Sequence, residues 1–135
     1  MKPVRLSPEN RCKKHILLLD PDPSVREALA SVLRSENYCV VCASDEKEAF
    51  DQLVRHPIDV ALVDLNGSEE SNWQVVQRLG EADPDLRIIL LTAHPDRMEH
   101  PLASRAQAWF QKPLLDLPLL FNKVTELTVG KSPTS

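Results

Sequence analysis

The feature that most constrains this chain is a regular alternation of short apolar runs with segments of helical periodicity. The run Ile16–Leu19 is apolar at every position, which is typical of a strand buried on both faces of a sheet. Strands that alternate with helices favour a parallel sheet joined by right-handed crossovers. The predicted strands are Ile16–Leu19, 38–43, Ile58–Val63, Arg87–Leu91 and Ala108–Gln111.

Five helices are predicted to alternate with these strands. At the start of the first, Asp22 is a candidate N-cap and Pro23 suits the first helical position. The fourth, within 94–105, contains Pro101, so we expect it to be short, kinked or partly irregular. The pattern predicts an α/β fold, with a five-stranded parallel sheet of order 2-1-3-4-5 and helices on both faces. Residues 1–13 are predicted to be a flexible arm and 129–135 a flexible tail.

Composition argues against several classes of function. With 135 residues, 42% hydrophobic and 27% charged, the chain has the size and composition of one globular domain. The net charge of -4 argues against nucleic-acid binding, and no apolar run approaches the roughly 18 residues of a membrane span. The three glycines are too widely spaced for a glycine-rich phosphate loop.

The N-terminus and the cysteines bear on location. The segment Met1–Lys14 lacks the apolar stretch of a secretory signal, and an odd number of cysteines fits a reducing compartment, so we expect a cytoplasmic protein. Cys39 and Cys42 form a C-x-x-C pattern, but side chains three positions apart on a strand face opposite sides. We therefore expect small buried hydrophobes there rather than a redox or zinc pair.

Polar side chains are predicted to gather at the edge of the sheet where the strands end. Ligands of such folds bind beyond the carboxyl ends of the strands, at the point where the strand order reverses. A carboxylate there can bind Mg²⁺ or attack phosphorus, while a lysine and a hydroxyl can contact phosphoryl oxygens. The residues at these strand ends are Asp20, Asp22, Asp64, Thr92 and Lys112, with Asn66 two positions beyond Asp64.

Four motifs follow one another along the chain: Ile16–Asp20 with Asp22–Arg26, Ile58–Leu65, Ile88–Ala93 and Trp109–Pro113. In this order they resemble the motifs of the receiver domains of two-component response regulators, the CheY-like family. The resemblance covers about residues 14–128 and implies a flavodoxin-like receiver fold. It also implies Mg²⁺ as cofactor, and a sensor histidine kinase or phosphotransfer protein as partner.

The resemblance implies a role for each residue at this edge. Asp64 matches the phosphoacceptor, Lys112 the phosphate-contacting lysine, and Thr92 the hydroxyl that reports phosphorylation. Asp20 matches the first acid of the metal-binding pair. Asp64 itself and the backbone carbonyl of Asn66 complete the implied metal ligands.

The chain departs from the family pattern at several positions. The second acid of the metal-binding pair is replaced by Pro21, which has no ligand to offer, so we expect weakened Mg²⁺ binding. Asp22, one position on, either substitutes for the lost ligand or only caps the following helix. The aromatic switch position holds Trp109, which is bulkier than the usual Tyr or Phe. Ser68 and Asn72 replace the usual proline and glycine of the loop after Asp64.

Two functions remain open. The first is a signalling switch that accepts a phosphoryl group on Asp64, with no enzyme activity beyond this self-directed transfer and autodephosphorylation. The second is a pseudo-receiver, an interaction module that is not phosphorylated because Pro21 removes a metal ligand. A flavin enzyme of similar fold is poorly supported, since the chain lacks a phosphate-cradling loop.

Output is expected to run through an unknown downstream protein rather than through nucleic acid or a membrane. The resemblance also raises a homodimer through the face formed by the fourth helix, fifth strand and fifth helix.

Overall fold

Five parallel strands form one sheet in the order β2-β1-β3-β4-β5 in the computed structural model, which describes residues 14–65, 69–114 and 116–129. This order confirms the predicted fold. The neighbouring β1 and β3 place their carboxyl ends side by side, and β3 is buried at every position. The strands are β1 (His15–Leu19), β2 (Cys39–Ala43), β3 (Val60–Asp64), β4 (Arg87–Thr92) and β5 (Ala108–Gln111).

Four α-helices cover the two faces of the sheet. On one face, α1 and α4 bury apolar residues such as Leu33 and Val124 against the strands. On the other face, α2 and α3 do the same with residues such as Ala49 and Leu79. Both faces are covered, which is why the strands are apolar throughout rather than alternating. The helices are α1 (Pro23–Ser35), α2 (Glu46–Arg55), α3 (Glu69–Ala82) and α4 (Leu117–Val129).

Two short 3₁₀ helices, Pro95–Glu99 and Pro101–Arg105, replace the predicted fourth helix. Pro101 begins the second of them, and His100 caps it by accepting a hydrogen bond from the Leu102 amide at 3.0 Å. Proline lacks an N–H and its ring clashes with the preceding turn, so it starts a new turn instead of continuing a helix. The described residues thus hold four α-helices, not five, and the expected irregular segment is confirmed.

The two cysteines of β2 differ from each other. Cys42 is a free thiol, and burial raises its pKa because a buried thiolate is poorly solvated. Cys39 is disulfide-bonded, so these two cysteines are not joined to each other, and the expectation of a simple buried hydrophobe is wrong for Cys39.

The ends of the chain are described in part. The predicted arm 1–13 and the tail after Val129, the last residue of α4, lie outside the described residues. Within the part that the structure describes, no helix combines the length and hydrophobicity that crossing a bilayer requires.

Candidate functional site

Asp20, Asp64 and Lys112 meet at the carboxyl edge of the sheet. Asp64 is the last residue of β3, Asp20 follows β1, and Lys112 follows β5. The Lys112 ammonium donates a hydrogen bond to Asp64 Oδ2 at 2.5 Å and lies 3.6 Å from Asp20 Oδ2. One cation therefore faces two carboxylates, and each of these three groups comes from a separate stretch of the sequence.

Asp20 is fully buried, and the turn that follows β1 holds it in place. Its Oδ1 accepts a hydrogen bond from the Asp22 amide at 2.9 Å, and the Arg26 guanidinium donates to its backbone carbonyl at 2.8 Å. Its Oδ2 is buried without a hydrogen-bond partner. Because a buried carboxylate needs compensating charge, this oxygen is available to a cation.

Asp64 is a weaker acid than usual. Burial raises the pKa of its carboxyl from 3.8 to about 6, because the charged form loses solvation. The hydrogen bond from Lys112 opposes this change by stabilising the carboxylate, whereas the nearby charge of Asp20 reinforces it. At neutral pH Asp64 is thus a carboxylate, and the neighbouring Lys112 ammonium stabilises its negative charge.

Thr92 ends β4 and is fully buried. Its hydroxyl oxygen accepts a hydrogen bond from the His94 amide at 2.9 Å and lies 3.3 Å from the His94 carbonyl, to which it donates. The backbone amide of Lys112 donates to the Thr92 carbonyl at 2.8 Å, which ties the ends of β4 and β5 together. The hydroxyl therefore holds the first turn of the β4–β5 connection.

The structure gives Asp22 a capping role. Its carboxylate accepts hydrogen bonds from the amides of Ser24 and Val25 at the start of α1, at 2.9 and 3.3 Å. The predicted helix cap is therefore confirmed, and Pro21 beside it is exposed and offers no ligand. Asn66 lies outside the described residues, so its predicted role as a carbonyl ligand stays a prediction.

The donor set at this edge fits a magnesium ion with two carboxylates. Asp20 supplies a buried oxygen without a hydrogen-bond partner, and the Asp64 carboxylate approaches the same lysine. Mg²⁺ commonly takes one or two carboxylates and keeps several waters. Among the side chains that the structure describes, no group of three or more His, Cys, Asp or Glu comes together to hold a metal ion.

Two features of the site were not predicted from sequence. Arg26 belongs to the first motif, but nothing in its spacing indicates that it holds the Asp20 carbonyl. An apolar groove of about 300 Å³ also opens beside Lys112. The sequence signal for this groove would have been a hydrophobic stripe on α1 that is wider than the part of the helix in contact with the sheet. The groove, here called the α1 groove, is lined by Val25, Ala28, Leu29, Val32, Lys112, Pro113, Leu114 and Leu117.

The two tryptophans occupy different environments. Trp109 lies on the edge strand β5 and is 43% exposed. Trp73, in α3, is only 2% exposed and its ring stacks on His100 with a centroid distance of 4.5 Å. Trp73 is thus part of the core, whereas the role of Trp109 as a switch residue stays a prediction.

Comparison with known sequences agrees with this geometry. The transcriptional regulatory protein GlrR of Escherichia coli is 35% identical over 80 residues, which are 59% of this chain and 18% of GlrR. The response regulator receiver protein CpdR of Brucella abortus is 30% identical over 79 residues, 58% of this chain and 66% of CpdR. The match to GlrR thus spans less than a fifth of that protein.

Solved structures show the same fold. The response regulator TrrA of Thermotoga maritima, in complex with Mg²⁺ and BeF, superimposes with a TM-score of 0.77 at 27% identity. That alignment covers 85% of this chain and 99% of TrrA. TrrA bound to the histidine kinase ThkA superimposes with a TM-score of 0.75, over 85% of this chain and 98% of TrrA.

A family model completes the comparison. The model described as the response regulator receiver domain matches residues 16–125, which is most of the chain. The strand order, the acidic edge and this match agree, and the chain belongs to the family of response regulator receiver domains.

Proposed function

We propose that this receiver domain accepts a phosphoryl group on Asp64 from the phosphohistidine of a sensor histidine kinase or phosphotransfer protein. The observation that carries the proposal is the hydrogen bond from Lys112 to Asp64, beside the unpartnered oxygen of Asp20. A buried carboxylate that is held by a lysine and flanked by a carboxylate oxygen without a hydrogen-bond partner is suited to attack phosphorus.

The transfer is a single displacement at phosphorus. An Asp64 carboxylate oxygen bonds to phosphorus, the bond from phosphorus to the histidine nitrogen breaks, and the imidazole keeps that electron pair and takes up a proton. Lys112 then contacts the phosphoryl oxygens that replace its present partner, and the Thr92 hydroxyl donates to another. A bound Mg²⁺, held by Asp20 and Asp64, would supply further positive charge to these oxygens. Hydrolysis of the acyl phosphate by water returns the carboxylate.

The α1 groove is the surface that we assign to the phosphodonor. It is apolar, lies on the side of the sheet that α1 and α4 cover, and includes Lys112 in its lining. A histidine on a helix that docks in this groove would approach Asp64 past the lysine that binds it. The complex of TrrA with ThkA supports a kinase as the partner of this fold.

The location, the downstream partner and the oligomeric state complete the proposal. A cytoplasmic location stays a prediction. An unknown downstream protein as the output and a homodimer also stay predictions. The predicted dimer face consists of two 3₁₀ helices in place of the fourth helix, together with β5 and α4, which is the predicted fifth helix.

A pseudo-receiver is the second candidate, and two observations favour it. Pro21 supplies no metal ligand, and the Asp22 carboxylate is already engaged in capping α1. A module of this kind would bind its partner in one state only.

The experiment that separates these functions is intact-mass measurement after incubation with acetyl phosphate, with Mg²⁺ or with a chelator. We expect one phosphoryl group to be gained with Mg²⁺ in the wild type and in Asp51→Asn, an exposed acid of α2, but not in Asp64→Asn. If the folded wild type gains nothing while a conventional receiver reacts alongside, the pseudo-receiver is the function.

A further inference from the structure

The stack of Trp73 on His100 joins the two chain segments that leave the site. Trp73 lies in the second turn of α3, which follows β3 and Asp64. His100 lies in the β4–β5 connection, which follows Thr92. The two rings are nearly parallel, with an interplanar angle of 11°. A movement of either segment relative to the other must therefore change this contact.

The β4–β5 connection is held at both of its ends. At the start, the Thr92 hydroxyl binds both backbone groups of His94. At the far end, the Arg105 guanidinium lies against Gly80 of α3, so closely that a Cβ at Gly80 would overlap it. The His100 ring, which also caps the second 3₁₀ helix, is the contact between these two anchors.

The stacked arrangement leaves one polar group unsatisfied. The indole N–H of Trp73 is buried and has no hydrogen-bond partner. Most buried donors in native proteins are paired, and an unpaired one is unfavourable. An arrangement of the two segments that gave this N–H an acceptor would gain a hydrogen bond that the stacked arrangement lacks.

Trp109 is less suited to sense the site. Its side chain alternates with those of Ala108 and Phe110, which pack on the α1 and α4 face, so it points to the opposite face at the edge of the sheet. The connection before β5 contains two short 3₁₀ helices in place of an α-helix, and the ring is 43% exposed. An exposed ring can rotate without changing a packed contact.

We propose that the Trp73–His100 stack, and not Trp109, reports the state of Asp64; this rests on the proposed function. A phosphoryl oxygen on Asp64 competes with the His94 backbone for the Thr92 hydroxyl. Loss of the Thr92–His94 hydrogen bonds releases the start of the β4–β5 connection, and His100 shifts against Trp73. The signal thus leaves through the contact between α3 and the 3₁₀ helices.

Single-tryptophan variants test this assignment. Trp109→Phe keeps only Trp73, and Trp73→Phe keeps only Trp109. Each is saturated with Mg²⁺ and beryllofluoride, a phosphoryl analogue, and its tryptophan emission is recorded while ¹⁹F NMR measures bound beryllofluoride independently. We expect the emission of Trp109→Phe to shift as in the wild type and most of the shift to be lost in Trp73→Phe. Thr92→Val, which removes only the hydroxyl, should bind the analogue and lose the shift.

The outcomes separate the two hypotheses. A bound ¹⁹F signal with an emission shift only in Trp73→Phe, or with no shift in either variant, overturns the role of the stack and leaves the proposed function intact. The absence of a bound signal in the wild type overturns the proposed function and this inference with it. The decisive variant, Trp109→Phe, changes an exposed residue, so loss of folding does not confuse its result.

Discussion

The Lys112 ammonium lies 2.5 Å from a carboxylate oxygen of Asp64, although the two residues are 48 positions apart in sequence. This contact lowers the pKa that burial raises at Asp64, and it places a cation where phosphoryl oxygens would arrive. Lys112 can thus have two roles: it neutralises the unphosphorylated site, and it stabilises the phosphoryl group during transfer. The two roles can be tested separately.

Replacing Lys112 should slow phosphorylation more than it disturbs the fold. We expect Lys112→Met to reduce the rate with acetyl phosphate by about 100-fold or more, because one preorganised donor to the transferring group is lost. The rate is measured by intact mass over time. Lys123→Met is the matched control, since Lys123 pairs with Glu126 on the surface of α4 and should leave the rate unchanged. An equal loss in both variants would contradict a specific role for Lys112.

The raised pKa of Asp64 predicts how stability depends on pH. Between pH 3.8 and about 6 the folded chain keeps a proton on Asp64 that the unfolded chain has lost. A rise in pH through this window therefore lowers the free energy of unfolding, in total by about 3 kcal/mol for a change of two pKa units. Urea unfolding at a series of pH values measures this slope.

Asp64→Asn removes the titrating group and should flatten that slope. It should also make the chain more stable than wild type at pH 7, because the buried charge is gone and Lys112 still pairs with Asp20. Asp51→Asn should keep the wild-type profile. If the slopes of wild type and Asp64→Asn coincide, another group titrates in this window.

The sequence allowed the sheet and most of the acidic edge to be predicted, for an identifiable reason. Strand ends are marked by the transition from an apolar run to Asp20, Asp64 or Lys112, and parallel topology then brings these ends together. The Trp73–His100 stack and the unpartnered oxygen of Asp20 could not be predicted, because both depend on how side chains from distant segments pack. Pro101 indicated an interrupted helix but not where the two short turns would lie.

Restoring the second acid should strengthen metal binding. We expect Pro21→Asp to lower the dissociation constant for Mg²⁺ by about tenfold, which corresponds to about 1.4 kcal/mol, since added ligand charge raises affinity for a hard cation. Isothermal titration calorimetry measures this change. Ser24→Asp adds the same charge in the first turn of α1 and serves as the control. A gain of similar size in both variants would indicate a general charge effect instead of a restored ligand.

Asp22 can be tested for capping and metal binding in one pair of variants. Asp22→Ser keeps an oxygen acceptor for the Ser24 and Val25 amides, so it should retain both stability and Mg²⁺ affinity. Asp22→Ala removes the cap and should lower the free energy of unfolding by about 1 kcal/mol, with Mg²⁺ affinity unchanged. Urea unfolding and calorimetry provide the two readouts. Weaker Mg²⁺ binding by Asp22→Ser would identify Asp22 as a substitute ligand.

The α1 groove predicts a variant that separates protein donors from small ones. Val25 lines the groove and is 36% exposed, so Val25→Lys introduces a charge on the docking surface without emptying the core. We expect it to slow phosphotransfer from a phosphorylated histidine protein by about tenfold or more, because a desolvated charge in an apolar interface weakens binding. The rate with acetyl phosphate should not change, since that donor needs no docking. Val54→Lys is the matched control on α2, where the valine is 86% exposed and the helix covers the opposite face of the sheet from the groove. If Val25→Lys and Val54→Lys accept phosphate from the histidine protein equally well, the donor docks on another surface.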